Sequence, residues 1–551
     1  MFARSFGGYH DADYAYEVVS TELARRGIAT VEKATEPDAF LHLQGYDLLL
    51  IYSDQGEMTA EQEQALVAWL EAGGALVAIH GATASFSSSE EYHRLIGADF
   101  ENHPPVMKFA VSRSNTDHMV TVRMPEAITV EDELYLLRAK ADYQILMTAR
   151  YLSQDVPITY VRQQGKGRIF YTALGHGRST FDHPRFRDLI CYGTRWALGQ
   201  QPRADVRVGL VGYGGQFGMG HLHGTLASGT PGMRLVAACD LNPKQMAVAQ
   251  RDWPGIRTYT DPGALAEDAG VDFVVVIVPH HVHAGVAHQF LDAGKHVMVE
   301  KPFVIKAADA RTLLEKAQAK NLTLTVFHNR RWDRDFMAVR QVVESGEIGT
   351  VYQFEAFLAG FGHPGYWWRS DKAISGGTMY DWGAHGTDWG LNLIADDVDY
   401  VVAWAQKRRW FDVSNEDAAK MVVHFKSGQL LDIEFGNLSA ARKAYMRVLG
   451  TRGAIEVRPP YRDLNDRILI YRETDKGLAE ELRPYKGQLS GLKHPWLEWS
   501  AADDLYRQLA DHFLLGDPVP VTPESAARVI GVIEAATLSA QSGKPEAPTY
   551  W

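Results

Sequence analysis

The stretch from Val206 to Gly224 limits the possible folds more than any other. An apolar run, Val208–Val211, stops at Gly212-Tyr213-Gly214-Gly215, and helix-forming sequence begins near Met219. Strand, glycine turn and helix in that order build an anion cradle. Glycine lets the backbone turn tightly and approach a pyrophosphate, whose charge rests on free N–H groups at the helix start. The spelling is irregular, because a strict G-x-G-x-x-G pattern would end at position 217, where Phe217 stands, with Gly218 one later. The turn reads as a longer one: Gly212 and Gly214 are the main phosphate contacts, Gly215, Gln216 and Phe217 lie beside them, and Gly218 takes the helix-packing role.

The residues that follow repeat the pattern. Met233–Cys239 is a second apolar strand ending in Asp240, where a carboxylate can accept hydrogen bonds from an adenosine ribose diol. Leu241-Asn242-Pro243 come next, with no arginine for a 2′-phosphate, so NAD is expected over NADP. Val271–Val278 is the most continuous apolar run and has to be buried on both faces. It ends in Pro279-His280-His281-Val282-His283, and a further strand, His296–Val299, ends in Glu300-Lys301-Pro302. Strand, helix and strand repeated in this way predict a doubly wound nucleotide domain, with Pro279, His280, His283, Glu300 and Lys301 along the cofactor cleft.

The chain is too long, at 551 residues, for one core, and three domains are expected: 1–200, 205–327 and 328–551. A net charge of −12 argues against nucleic acid or an anionic membrane as partner. Two cysteines, Cys191 and Cys239, cannot build a disulfide framework, and no apolar run approaches a membrane span. A cytoplasmic enzyme acting on a small molecule is the expectation. Residues 1–200 alternate strand and helix: Tyr46–Tyr52 and Ala75–Ile79 read as strands, with a Thr59-capped helix ending at Gly73-Gly74 between them, and Arg168–Thr172 as a later strand. This predicts a mostly parallel sheet with helices on both faces. His10, His80 and His176 would lie at carboxyl ends of strands, where such sheets bind ligands, and form a polar pocket for a sugar-like ligand. No metal is assigned to it.

At GGALVAIHGA, DELY (Asp132–Tyr135) and GKGRIFYTALGHG, the first 200 residues resemble the ThuA-like family, named for trehalose utilisation. The resemblance implies the flavodoxin-like, class I glutamine amidotransferase fold without its nucleophile. His80 stands at the nucleophile's strand-to-turn position, and Cys191 falls in a helix near the domain's end, so glutamine hydrolysis is excluded. From residue 205 on, GLVGYGGQFGMGHLH, ACDLN, VIVPHHVHAG and AGKHVMVEKPF resemble the Gfo/Idh/MocA oxidoreductases. That family pairs a Rossmann domain with an α+β domain built on a large, open, mostly antiparallel sheet. The resemblance also implies a homo-oligomer, dimer or tetramer, formed through that sheet's open face.

The stretch Ser375-Gly376-Gly377-Thr378-Met379-Tyr380-Asp381-Trp382-Gly383-Ala384-His385-Gly386-Thr387-Asp388 matches the same family's glycine–aspartate–histidine signature. After its glycines a helix puts Asp381, His385 and Asp388 on one face. Lys301, Asp381 and His385 are the expected catalytic residues. An imidazole titrates near neutral pH and suits a general base, while a lysine ammonium can hold a reacting oxygen near the cofactor. Asn329, Arg330 and Trp368 are added as substrate contacts, with Trp367 and Arg369 in the same loop. The function expected is NAD-dependent oxidation of a secondary hydroxyl, at ring C3, of a sugar, glycoside or cyclitol. The alternative is a redox-neutral, NAD-dependent glycosidase working through a transient 3-keto intermediate.

Overall fold

Two compact units make up the chain: residues 1–204 with Asp511–Pro518, and residues 205–510 with Val519–Trp551. A computed structural model describes residues 1–215, 217–458, 467–484, 492–497 and 500–549. Among these residues no helix is long and apolar enough to cross a membrane. The short segment Asp511–Pro518 belongs to the first unit. Its charges explain the assignment. Arg195 donates to Asp517 at 2.5 Å and the Tyr192 hydroxyl donates to Asp511 at 2.6 Å, so both buried carboxylates find their partners there.

The first unit holds an eight-stranded sheet. Its strands are β1 (Phe2–Ser5), β2 (Leu48–Asp54), β3 (Ala75–Ile79), β4 (Met107–Arg113), β5 (Ala127–Asp132), β6 (Gln144–Tyr151), β7 (Gln154–Gln164) and β8 (Gly167–Thr172), in the order β1-β2-β3-β8-β7-β6-β4-β5. From β1 to β8 neighbours run parallel, and from β8 to β5 they run antiparallel. The mostly parallel sheet read from the sequence is therefore only half of it. The reason shows in burial: β3 is buried at every residue, as a strand covered on both faces must be, whereas β5 alternates buried with open positions. The helix between β2 and β3, α1 (Ala60–Ala72), starts on Thr59. The Thr59 hydroxyl accepts from the Gln62 N–H, and Gln62 Oε1 accepts in return from the Thr59 N–H, a reciprocal cap legible in the sequence.

The second unit opens on β9 (Val206–Val211), followed by α2 (Met219–Gly229), β10 (Met233–Cys239), β11 (Arg257–Tyr259), β12 (Phe273–Val276), α3 (His283–Asp292), β13 (His296–Val299) and β14 (Leu324–Val326). All six strands are parallel, in the order β11-β10-β9-β12-β13-β14. The order reverses direction between β9 and β12, and ligands bind above this point in open α/β sheets. A second sheet follows: β15 (Val351–Ala359), then α4 (Thr378–Leu393), β16 (Val398–Gln406), β17 (Ala418–Phe425), β18 (Leu430–Gly436), β19 (Met446–Gly450), β20 (Gly453–Val457), β21 (Arg467–Thr474) and β22 (Gly477–Pro484). Its order is β16-β17-β18-β15-β19-β20-β21-β22, antiparallel except where β15 pairs with β18. The last three strands, β20 to β22, were not anticipated. Strands β17 and β18 alternate buried and half-buried residues, and α4 lies on the buried face.

Trp389 anchors α4 there. It is fully buried, stacks 5.8 Å from Phe336, meets Tyr445 edge-on at 5.6 Å and donates its indole N–H to the Arg330 carbonyl at 3.1 Å. Trp389→Ala should destabilise the second unit by about 3–5 kcal/mol, the range for truncating a buried aromatic, measured as an earlier denaturant transition of that unit. A loss below about 1 kcal/mol would show that the helix is held elsewhere.

Candidate active site

The glycine turn follows β9 directly. Gly212 has φ +91° and a Cβ there would lie 2.1 Å from the Ile277 carbonyl oxygen, so no other residue fits. The Gly214 N–H donates to Asp240 Oδ2 at 2.8 Å, and Asp240 Oδ1 accepts from the Asn242 N–H at 2.9 Å. This carboxylate braces the turn from the end of β10. Helix α2 starts at Gly218 with no side-chain cap, leaving its first N–H groups for an anion. The helix-packing role falls on another glycine than expected. A Cβ on Gly218 would meet nothing within 4 Å, whereas one on Gly220 would lie 2.6 Å from the Tyr213 carbonyl oxygen. The longer turn delays the close approach by two residues. Gln216 lies outside the described residues.

The turn forms one wall of a cleft of about 520 Å³, lined also by Asp240, Pro279, His280, Lys301 and Trp368. A second cavity, of about 470 Å³, is lined by Asn329, Arg330, Asp381 and His385 among others. Phe217, Glu300, Lys301, Trp367 and Arg369 line both. Phe217 thus stands on the shared wall, its ring 5.0 Å from that of Trp367. Trp368 belongs to the first cleft, edge-on to His280 at 4.7 Å, and does not line the second cavity where a substrate contact was expected.

On the shared wall a charge cluster forms. Lys301, at the end of β13, donates through Nζ to Asp381 Oδ1 at 2.7 Å, and Arg369 Nη1 donates to the same oxygen at 2.8 Å. Burial works to raise the Asp381 pKa, but the two cations outweigh it and hold the carboxyl far below the usual range. Burial also lowers the Lys301 pKa, against the pull of Asp381. Two cations thus face Asp381, and the Glu300 carboxylate on the same wall makes two positive and two negative groups where the cavities meet. The peptide bond between Lys301 and Pro302 is cis.

His385 sits one turn after Asp381 on α4. It is 4% exposed, and its Nδ1 is buried with no hydrogen-bond partner among the described residues. Burial, and then the charges of Lys301 and Arg330, push its pKa well below the ordinary value, so the imidazole is neutral. Asp388 does not join the catalytic face. It is buried and receives Arg331 Nη2 at 2.6 Å, an ion pair that also ties Arg331 to Ser525.

Two expected cofactor contacts turn out to be engaged with the protein. Glu300 Oε1 lies 3.0 Å from His223 Nε2, and Oε2 accepts from the Lys301 N–H at 2.9 Å. With Nε2–H donating to the carboxylate, His223 Nδ1 accepts from the Tyr506 hydroxyl, 2.7 Å away. Neither His223 nor Tyr506 was anticipated, since a lone histidine on an apolar helix face carries no local signal. His283 is buried with its two ring nitrogens 2.8 and 2.9 Å from the Val278 and Pro302 carbonyls, and its neutral ring donates to one of them. Arg369, read only as a loop residue beside tryptophans, is part of the cluster itself.

In the first unit, His10, His80 and His176 do converge, and Glu133 joins them; one donor atom from each lies within 4.8 Å of the other three. Glu133 was passed over because DELY was read only as part of a family pattern.

Residues 206–328 match the family described as "Oxidoreductase family, NAD-binding Rossmann fold", and residues 336–456 match the "GFO/IDH/MocA C-terminal domain". The uncharacterised oxidoreductase YdgJ of Escherichia coli K12 is 31% identical over 252 residues, 45% of this chain and 70% of that protein. The chain belongs to the Gfo/Idh/MocA oxidoreductase family. Ahead of that part, residues 1–197 match the ThuA family, described as "Trehalose utilisation", so this member carries a ThuA domain at its amino-terminal side. The scyllo-inositol 2-dehydrogenase (NADP(+)) IolW of Bacillus subtilis is 22% identical, over 62% of this chain and 96% of its own. A crystal structure of an oxidoreductase from Klebsiella pneumoniae is 27% identical with a TM-score of 0.53, over 63% of this chain and 96% of that one.

An oxidoreductase with an NAD-binding Rossmann fold needs a phosphate turn of this shape. The packing of Gly220 gives a direct test: Gly220→Val should weaken NAD binding at least about tenfold, or ~1.4 kcal/mol, by titration calorimetry. Gly218→Asn, in open space at φ +62°, should change it by less than about twofold.

Proposed function

We propose that this chain is an NAD-dependent dehydrogenase that oxidises a ring secondary hydroxyl of a sugar, glycoside or cyclitol. The observation that carries the reading is the Lys301–Asp381–Arg369 cluster on the wall shared by the two cavities, with neutral His385 beside it in the second. A nicotinamide dinucleotide in the first cleft would supply the hydride acceptor. The residues present suit it: three glycines, an uncapped helix start, and Asp240 followed by Leu241-Asn242-Pro243 with no arginine to take a 2′-phosphate, which favours NAD over NADP.

The second cavity then takes the substrate. Asn329, Ser370, Thr378, Asn415 and Asn437 offer side-chain donors and acceptors for several hydroxyls, and Arg330 stacks over Trp382 at 4.9 Å to close one side. Lys301 holds the reacting oxygen, His385 takes its proton, and Asp381 fixes Lys301 and Arg369 in place. The Lys301 ammonium, donating a hydrogen bond to that oxygen, stabilises the alkoxide that develops as the proton leaves. The similarity to an inositol dehydrogenase supports a polyol ring as substrate. Ring C3 as the position oxidised is part of the proposal and rests on the association of ThuA-like proteins with 3-keto sugars.

Incubating the protein with sugars, glycosides and inositols, with and without NAD, while following NADH absorbance and sugar release tests this. Stoichiometric NADH is expected. Sugar release without net NADH would replace the dehydrogenase by a redox-neutral glycosidase. His385→Ala should lower kcat by about 10²–10⁴ while leaving NAD binding unchanged, and activity that survives it would overturn the catalytic assignment.

The pH profile adds a second check. A base whose folded pKa lies below the ordinary imidazole value stays deprotonated further into acid. The acid limb of kcat/KM should therefore fall clearly below about pH 6.5, and an inflection at or above it would contradict the neutral, buried His385.

A further inference from the structure

The ThuA domain carries a constellation that the oxidoreductase chemistry leaves unused. His10 follows β1, His80 follows β3, Glu133 follows β5 and His176 follows β8, so four separate strands deliver one side chain each to the same end of the sheet. Their donor atoms lie within 4.8 Å of one another.

The hydrogen bonds around the cluster orient these groups. His10 Nδ1 is 2.7 Å from Asp54 Oδ2, a carboxylate also held by the Ser5 hydroxyl and the Gly7 N–H. His80 Nδ1 is 2.7 Å from the Ala173 carbonyl. An imidazole anchored on a carboxylate or a carbonyl through one N–H turns its other nitrogen inward as a lone pair, the arrangement found in metal-ligating histidines. His80 is fully buried, and its Nε2 faces Glu133 Oε2 at 3.5 Å without forming a hydrogen bond. His176 Nδ1, also buried and without a hydrogen bond, faces the same oxygen at 3.2 Å. The His80 Nε2 lone pair opposed to the carboxylate is repelled unless a cation lies between them, and the approach of His176 Nδ1 to the same oxygen fits a shared cation. Donors at about 2.1 Å from one tetrahedral ion stand roughly 3.4 Å apart, close to the two spacings seen.

We propose that His10, His80, Glu133 and His176 bind one divalent transition-metal ion in the ThuA domain. Three imidazoles and one carboxylate favour zinc, manganese, iron or cobalt over calcium and magnesium, which prefer oxygen ligands alone. The His176 side chain is 26% exposed, against 0% for His80 and 4% for His10, so the site opens to solvent on that side. A hydroxyl or carbonyl oxygen of a ligand can reach the ion there, as at metal sites that act as Lewis acids.

The test uses the untagged full chain, stripped with a chelator and dialysed against Zn²⁺, Mn²⁺ or Co²⁺, with bound metal measured by elemental analysis and the Co²⁺ spectrum recorded. One ion per chain is expected. Glu133→Gln, nearly isosteric at a buried position, and His176→Gln, at a partly exposed one, should each weaken binding at least about 100-fold, and Asp54→Asn, which only positions His10, about 10–100-fold. His80→Ala should abolish binding; because its buried ring also packs the domain, the more conservative Glu133 and His176 variants decide the question, with unchanged thermal transitions of the stripped proteins as the fold control. No uptake by the stripped chain, or uptake undiminished in Glu133→Gln and His176→Gln, would overturn the proposal and leave a histidine–carboxylate cluster held by protons alone. The readout needs neither NAD nor a sugar, so it stands apart from the dehydrogenase assay.

Discussion

The ion pair between Lys301 and Asp381 is the contact on which the catalytic half of this protein turns. Lys301 ends a strand of the nucleotide-binding sheet, and Asp381 belongs to the first turn of the helix that packs on the second sheet. Both are withdrawn from water, and a buried charge without its partner is costly, so each holds the other at the junction of the two cavities. Arg369 adds a second cation to the same oxygen. Asp381 therefore fixes the position of the Lys301 ammonium on the wall that the two cavities share.

Around this pair, polar groups are held by a second set of contacts. Glu300 is oriented by His223 and Tyr506 and braces the Lys301 backbone, and the buried His283 ring lies against the Val278 and Pro302 carbonyls. Asp240 steadies the glycine turn through the Gly214 N–H. Groups that look from the sequence like direct cofactor contacts are thus largely occupied in shaping the cleft. Among the described residues, His385 Nδ1 and His280 Nε2 are buried without a hydrogen-bond partner and the first N–H groups of α2 have no side-chain cap, so these have capacity to spare for a ligand. The ThuA domain follows the same logic, since Asp54 and Ala173 occupy one nitrogen each of His10 and His80 and leave the others facing inward.

Much of this was legible beforehand because the signals are local. Buried parallel strands read as unbroken apolar runs, and β3, β10 and β13 fall where those runs lie. The Thr59 cap and the Gly73 stop needed only neighbouring residues. The antiparallel half of the first sheet was not legible, because its alternating strands between residues 107 and 164 resemble surface loops until pairing is known. Gly220 was misjudged in favour of Gly218 because the length of a turn decides which glycine meets the preceding strand, and spacing along the chain does not give that length. Asp388 shared a helix face with His385, yet Arg331, 57 residues away in sequence, claimed it.

By itself the sequence determined the buried parallel strands, the Thr59-capped helix and the glycine turn, since each depends on residues close together in the chain. Only the tertiary structure decided that Arg369 shares the Asp381 carboxylate, that Glu300 serves His223, that Trp368 faces the first cleft, and that Glu133 completes a cluster with three histidines. Those pairings join residues from separate strands and loops, and electrostatic partners are chosen by distance in space, which burial and packing set after the local elements have formed.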